Sequence, residues 1–471
     1  MNTPALKGGD PLRLAIAVSA LVVAGAVTEL LLMAGVPGLA WPLVLAAMVA
    51  TVALWRPRPE ALAALLLVAG VELLLPVHTG GGRYNDWLLH YEISLHYAGL
   101  PTPVDPGFLS ARTPLFHQLA GAVLALRADY WVFQLVAVFL NSLWLWPAGL
   151  LLGERGGGRA RLLAVALSPF LLAYGVYTWP WAFAGFFILA ATYLAGRPGR
   201  MAWAGTGVAI GAAFLAHSAT AGYGLGLTAF FAARERDRLL PALGMGALTA
   251  ATQLPWTFAI TGGAGPLGVL LAVDPVVQRV PVDVWLLTRL LVVAHSLIPT
   301  PPLLRGWEVP DTVIVVFVLS LPGALMGLLL VARRWLRRPG PLPWMLAFGA
   351  GLGLLAYPPQ QFLSGMLDAL FPGVLLLTVA VVAAIPDSIV RRLLTVQAGL
   401  AALFLAALAL VSALPSGADP NVALKLGYGA RFAVEALTPV PGVGLLALAA
   451  VTGFIALRPA PSSPPSAGSS P

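Results

Sequence analysis

Apolar runs long enough to cross a bilayer follow one another along nearly the whole chain, separated by short turns that hold arginine. A spanning helix needs about 20 mostly apolar residues, with a range near 17–25. The run from Leu12 to Ala34 meets that length, and further candidate spans lie near 38–55, 60–77, 131–152, 162–177, 178–196, 201–216, 217–233, 239–260, 311–332, 341–357, 364–385, 393–413 and 441–457. The expected fold is all-α, a polytopic transmembrane helical bundle of about 14 spans. Charged residues are 10% of the 471 and hydrophobic residues 59%. A soluble domain carries about 25% charged residues, so this chain has too little charge to cover a water-facing surface. Lipid tails ask for no such cover. The 50 glycines and 41 prolines fall inside apolar runs, where membrane helices tolerate them.

Arginine placement sets an orientation through the positive-inside rule. With the N-terminus in the cytoplasm, the inner turns hold Arg56 and Arg58, then Arg155, Arg159 and Arg161, then Arg197 and Arg200. Arg234, Arg236 and Arg238 follow, then Arg333, Arg334, Arg337 and Arg338, and then Arg391 and Arg392. The outer segments are longer and poorer in arginine, and cover roughly 78–130, 261–310 and 414–440. Apolar stretches near 114–126 and 284–298 are short for a crossing; they read as interfacial or re-entrant helices on the outer face. The expectation is a multi-pass protein of the cell (inner) membrane with both termini cytoplasmic and its chemistry facing outward. The first run has too long an apolar core for a cleaved signal and reads as a retained span. Residues 458–471 read as a disordered cytoplasmic tail. The net charge of +8 is spread over short loops, so no nucleic-acid partner is expected. Cysteine is absent, which excludes disulfides, Cys-bound zinc and a thiol nucleophile.

The first outer loop carries most of the reactive side chains. It gathers Asp86, His90, Glu92, His96, Asp105, Arg112 and His117, and His78 stands beside it, in a chain with six histidines. A helix is expected from Trp87 to about Tyr97. Asp86 and His90 share one of its faces, as do Glu92 and His96. Asp86 has two readings: a cap for free backbone N–H groups, or a functional carboxylate. Glu29 and Glu72 are intramembrane acids, costly there and often functional; near the outer interface, packing or hydrogen bonding is the expected role. His217 and His295, near span ends, read as structural. No P-loop, GxGxxG opening a helix, HExxH or GxSxG is present, which disfavours an ATPase, a Rossmann dehydrogenase and a serine hydrolase.

The order RYNDWLLHYEISLHYAG, then SARTPLFHQLAGAVLAL, then the paired spans around GERGGGRARLLAVALSP resembles the GT-C superfamily of membrane glycosyltransferases. It looks most like the bacterial branch of protein mannosyltransferases and aminoarabinose transferases. The resemblance covers residues 1–260, a GT-C-like module; 261–457 adds a C-terminal transmembrane region. It implies sugar transfer on the outer face from a polyprenyl-phosphate donor, with inversion at the sugar carbon. Asp86 takes the acidic position as general base. Arg112, with Arg83, takes the place of the cations that hold the donor phosphate. His90, Glu92, His96 and His117 are the candidate acceptor or metal contacts, and a divalent metal is the candidate cofactor. The acceptor is a protein, lipid or glycan hydroxyl. Asn85 stands where many relatives carry a second acid, which suits a base more than a metal site. The late stretch YPPQQFLSG lacks the basic residue common there, so no phosphate contact is expected from it. Two other functions fit the same spans: a transporter or flippase for a lipid-linked or amphiphilic substrate, and a subunit that kept the fold without the activity. A transporter calls for polar residues from several spans that converge near the bilayer midplane, and few are present, because most of the polarity lies in the outer loops.

Overall fold

The computed structural model describes residues 10–74, 86–102, 113–153, 158–168, 171, 180–254, 329, 332–333, 340–356, 364–413 and 439–457. Among them are α-helices and two short 3-10 turns, and no strand. The first three helices are α1 (Asp10–Met33), α2 (Trp41–Trp55) and α3 (Pro59–Leu74), then the loop helix α4 (Asp86–Tyr97). Next come α5 (Leu115–Leu124), α6 (Tyr130–Ser142), α7 (Leu145–Gly153), α8 (Gly158–Ala166) and α9 (Trp181–Ala195). α10 (Arg200–Ala216), α11 (Ala221–Arg234) and α12 (Arg236–Ala251) follow, and the chain continues with α13 (Pro341–Ala356), α14 (Ser364–Ala384), α15 (Asp387–Ala413) and α16 (Pro439–Leu457).

Among the described residues, four helical segments are long and apolar enough to cross a membrane: Asp10–Met33, Pro37–Trp55, Tyr130–Gly153 and Val440–Leu457. The fold is that of a helical membrane protein. Its outer faces carry large apolar side chains where a soluble protein would place charge: Val49 is 68% exposed, Phe454 62% and Val440 74%. These side chains need lipid around them.

Two of the expected helices take a different form. The stretch 131–152 is two helices, α6 and α7, with a turn between them. Pro147 causes the break, because its ring crowds the carbonyl four residues back, at Leu143, and it has no N–H to bond there. The Leu143 carbonyl accepts from Trp146 instead, at 3.1 Å. The short helix expected near 114–126 is α5, and all ten of its residues are buried. Ten residues rise about 15 Å, too little to cross. α5 therefore sits inside the bundle and not on its surface, packed among α1, α2, α4, α6 and α10. The expected helix near 284–298 and the outer segment 261–310 lie outside the described residues.

Close helix approach depends on small residues. Gly207 and Gly211 lie one turn apart on α10 and face Ala242, Gly246 and Thr249 of α12. A Cβ on Gly207 would fall 2.1 Å from the Ala242 carbonyl oxygen, so the two backbones touch there.

Arginines of α8 tie one end of the bundle together. Arg161, buried, donates to the Val382 carbonyl at the end of α14 and pairs with Asp387 at the start of α15, at 2.7 Å. Arg159 reaches the Ala456 carbonyl at the end of α16 at 3.5 Å and lies 3.9 Å from Glu60 at the start of α3. Each guanidinium meets a helix C-terminal carbonyl, where the helix dipole favours positive charge.

Candidate functional site

The loop helix α4 is held by three local features. It ends on Gly99, whose φ of +71° is open to glycine at little steric cost. The Gly99 N–H donates to the His96 carbonyl and the Leu100 N–H to Leu95, each at 3.0 Å, a pattern that satisfies the last carbonyls of the helix. A Cβ on Gly99 would lie 2.4 Å from Pro37, so the end of α4 rests on the turn between α1 and α2. Along its length α4 packs on α5. Gly121 of α5 allows this, since a Cβ there would meet the Ser94 carbonyl and Tyr97 at 2.5 Å.

At this contact His90 of α4 meets His117 of α5. Nδ1 of His90 and Nε2 of His117 are 2.8 Å apart, and both residues are buried. Nδ1 of His117 lies 3.2 Å from the Thr113 carbonyl oxygen. The ring planes differ by 20° and the centroids are 5.1 Å apart. That separation is what two imidazoles lying end to end give at this nitrogen distance. Phe116, edge-on to both imidazoles, closes one side.

The rest of α4 is also partly or fully buried. Glu92 is buried, and its backbone carbonyl accepts from Thr102 Oγ1 at 2.9 Å. Tyr91 donates to the Ala128 carbonyl and meets Tyr130 and Phe133 edge-on. Burial above all, then the charges of Asp129 and Glu92, hold the Tyr91 phenol above its ordinary range, so it stays a donor. Burial pushes the His96 imidazole below its ordinary range, so it is neutral at pH 7. Glu92 and His96 are thus both held on α4. Asp86 is the first residue of this helix, one turn before His90 on the same face; its side chain, like Arg83 and Arg112, lies outside the described residues. Among the described residues no group of three or more His, Asp or Glu is arranged to hold a metal.

Behind the histidines is a polar knot that the sequence reading missed. Gln118, next to His117 on α5, donates to Gln253 Oε1 at 2.8 Å and to Glu29 Oε2 at 3.3 Å. Gln253 returns a bond to Gln118 Oε1 at 3.3 Å. All three are buried. Glu29 thus hydrogen-bonds inside the bundle, where its sequence position suggested packing or a bond at the interface. The signal for Gln118 was available: a polar residue within the apolar run LFHQLAGAVL. Gln118 donates to both of the others, and loss of a partner by a buried group costs about 1–3 kcal/mol. Gln118→Leu is therefore expected to lower the melting temperature in detergent, and an unchanged melting temperature would show that the knot contributes nothing.

A second buried polar pair lies deeper. Glu72 and Asn141 line a cavity of about 20 Å³ with Trp144 and Phe371, room for one water. Asn141 Oδ1 accepts from the Phe183 N–H near the start of α9 at 3.2 Å. Its Nδ2 and the Oε2 of Glu72 have no hydrogen-bond partner among the described residues.

No protein-family model, curated protein or solved structure matches this chain. The site therefore rests on this chain's own residues.

Proposed function

We propose that the protein is an integral membrane glycosyltransferase with a GT-C-like bundle of about 14 spans. It moves a sugar from a polyprenyl-phosphate donor to an acceptor hydroxyl on the outer face of the inner membrane, with inversion. Asp86 is the general base. Arg83 and Arg112 hold the leaving phosphate through charge-assisted hydrogen bonds. A divalent metal near Asp86 remains the candidate cofactor. Nucleotide sugars do not cross a membrane, so an outward site calls for a lipid-borne donor.

The observation that carries this reading is the seating of α4. The helix that begins at Asp86 is locked onto the buried α5 through His90 and His117, within the motif order that resembles the superfamily. The proposed sidedness draws support from contacts between the basic turns. Arg161 meets Asp387, Arg159 lies near Glu60, and Arg238 donates to the Ala195 carbonyl, so turns proposed as cytoplasmic touch one another.

The test is binding of radiolabelled polyprenyl-phosphate sugars to the full chain in nanodiscs. Arg112→Ala is expected to weaken binding about ten- to a hundredfold, the value of hydrogen bonds to a charged group. Absence of binding by folded wild-type protein would sink the reading.

The transporter reading also has a specific observation behind it. Glu29, Gln118 and Gln253 converge from α1, α5 and the end of α12, and Glu72 meets Asn141, which stands halfway along Tyr130–Gly153. Uptake of a lipid-linked sugar into liposomes without transfer would favour it.

A further inference from the structure

We infer that Glu72 and Asn141 form a binding site for one water molecule, which joins α3 to α6 and, through Asn141, to the start of α9. The same geometry turns a cation away. The transferase reading makes no use of these two residues, so the site stands or falls apart from it.

α9 begins without a cap of its own. Pro180 precedes it and makes no side-chain bond to its first turn, whose N–H groups have no partner inside the helix. Asn141 of α6 supplies a partner from outside, because its Oδ1 accepts from the Phe183 N–H at 3.2 Å. The two ends of a carboxamide differ: one accepts and the other donates. Phe183 N–H can only donate, so the oxygen end of Asn141 must face α9. Its NH₂ end is thereby turned to the cavity that Asn141 shares with Glu72.

Both side chains are almost wholly buried, Glu72 at 2% exposure and Asn141 at 1%. They influence each other across the cavity without reaching hydrogen-bond geometry, and Nδ2 of Asn141 and Oε2 of Glu72 are both left without a partner among the described residues. Buried polar atoms in that state are rare, and a bound water is a common remedy. A water asks for about 10–15 Å³ and at least two polar partners. The cavity offers about 20 Å³. Its two orphans are also of opposite kind. Nδ2 donates to the water oxygen, and the water donates to Oε2. Val68, Val71, Leu171 and Phe371 are among the other walls; they bring no side-chain hydrogen-bonding group and leave the water no competing place.

Intramembrane acids often carry ions, and Glu72 is one by position. A hard cation such as calcium collects about six or more oxygen ligands. This cavity offers one carboxyl, and the inward N–H of Asn141 would meet the ion with its positive end. Glu72 therefore serves to fasten α3 to α6 through water.

The experiment is a structure of the full chain in nanodiscs at a resolution that shows ordered water, with Glu72→Met beside the wild type. One density peak is expected in the wild type, about 2.7–3.2 Å from both Nδ2 of Asn141 and Oε2 of Glu72. It is expected to be lost in Glu72→Met, whose side chain is of similar length and has no oxygen. A direct bond between the two side chains with no peak would overturn the site, as would a peak that survives in Glu72→Met. Should that variant fail to fold, the wild-type density decides alone. The second measurement is the melting temperature of the wild type in sodium, potassium and choline chloride at equal ionic strength. Equal values are expected. A ligand that binds the folded state raises its melting temperature, so a rise with sodium or potassium over choline, absent from Glu72→Met, would put a cation in the cavity and overturn the water. Neither readout involves sugar transfer.

Discussion

Asp86→Asn is expected to abolish sugar transfer in membranes while the protein stays folded and binds donor. The exchange is nearly isosteric, so the start of α4 is expected to keep its fold. What disappears is the ability to take a proton, with the negative charge that favours an oxocarbenium-like transition state. General-base catalysis alone contributes about 10²–10⁴-fold, so the rate is expected to fall by at least that much. Full activity in Asp86→Asn would remove Asp86 from the role of general base.

Gly207→Val is expected to have the largest effect on assembly. Its Cβ would fall 2.1 Å from the Ala242 carbonyl oxygen and 2.9 Å from the Gly246 nitrogen. Those are backbone atoms, and no flexible side chain can give way. The helices α10 and α12 would have to part over their whole contact. Overpacking costs about 1–3 kcal/mol where side chains can shift, and more is expected here. Gly244→Val is the control, because a Cβ at Gly244 meets nothing within 4 Å. Size-exclusion profiles and melting temperatures in detergent are expected to show loss of folded protein for the first variant and little change for the second. Equal behaviour would mean that the contact between α10 and α12 is not needed for folding.

Much of the helical layout was legible in the sequence, because hydrophobic length is a strong signal in membranes. The runs near 12–34, 38–55 and 441–457 are the helical segments Asp10–Met33, Pro37–Trp55 and Val440–Leu457, long and apolar enough to cross a membrane. The loop helix expected from Trp87 to about Tyr97 is α4, Asp86–Tyr97. Pairings were less legible. Nothing in the spacing of His90 and His117 told that an N–H···N bond joins them, since packing of two helices decides it. Gln118 and Gln253 stand 135 positions apart and meet only once α5 is buried beside α12. The burial of α5 was hidden for a related reason: a short apolar helix looks alike from sequence on a membrane surface and inside a bundle. The chemistry itself was legible only as residue types, and Asp86, Arg83 and Arg112 stay a matter for the assays above.

The arginine clamp of α8 bears on how the chain is made. Arg161 bonds to a carbonyl 221 positions later, and Arg159 to one 297 positions later. α16, the C-terminal described helix, makes its broadest contact with α3, one of the earliest. While synthesis proceeds, α3 and these guanidinium groups must wait in lipid and headgroup for partners not yet inserted. That end of the bundle therefore closes last, on arrival of α16. A ribosome that stalls or stops early would release a bundle with an open seam along α3, of the kind that membrane quality control can recognise.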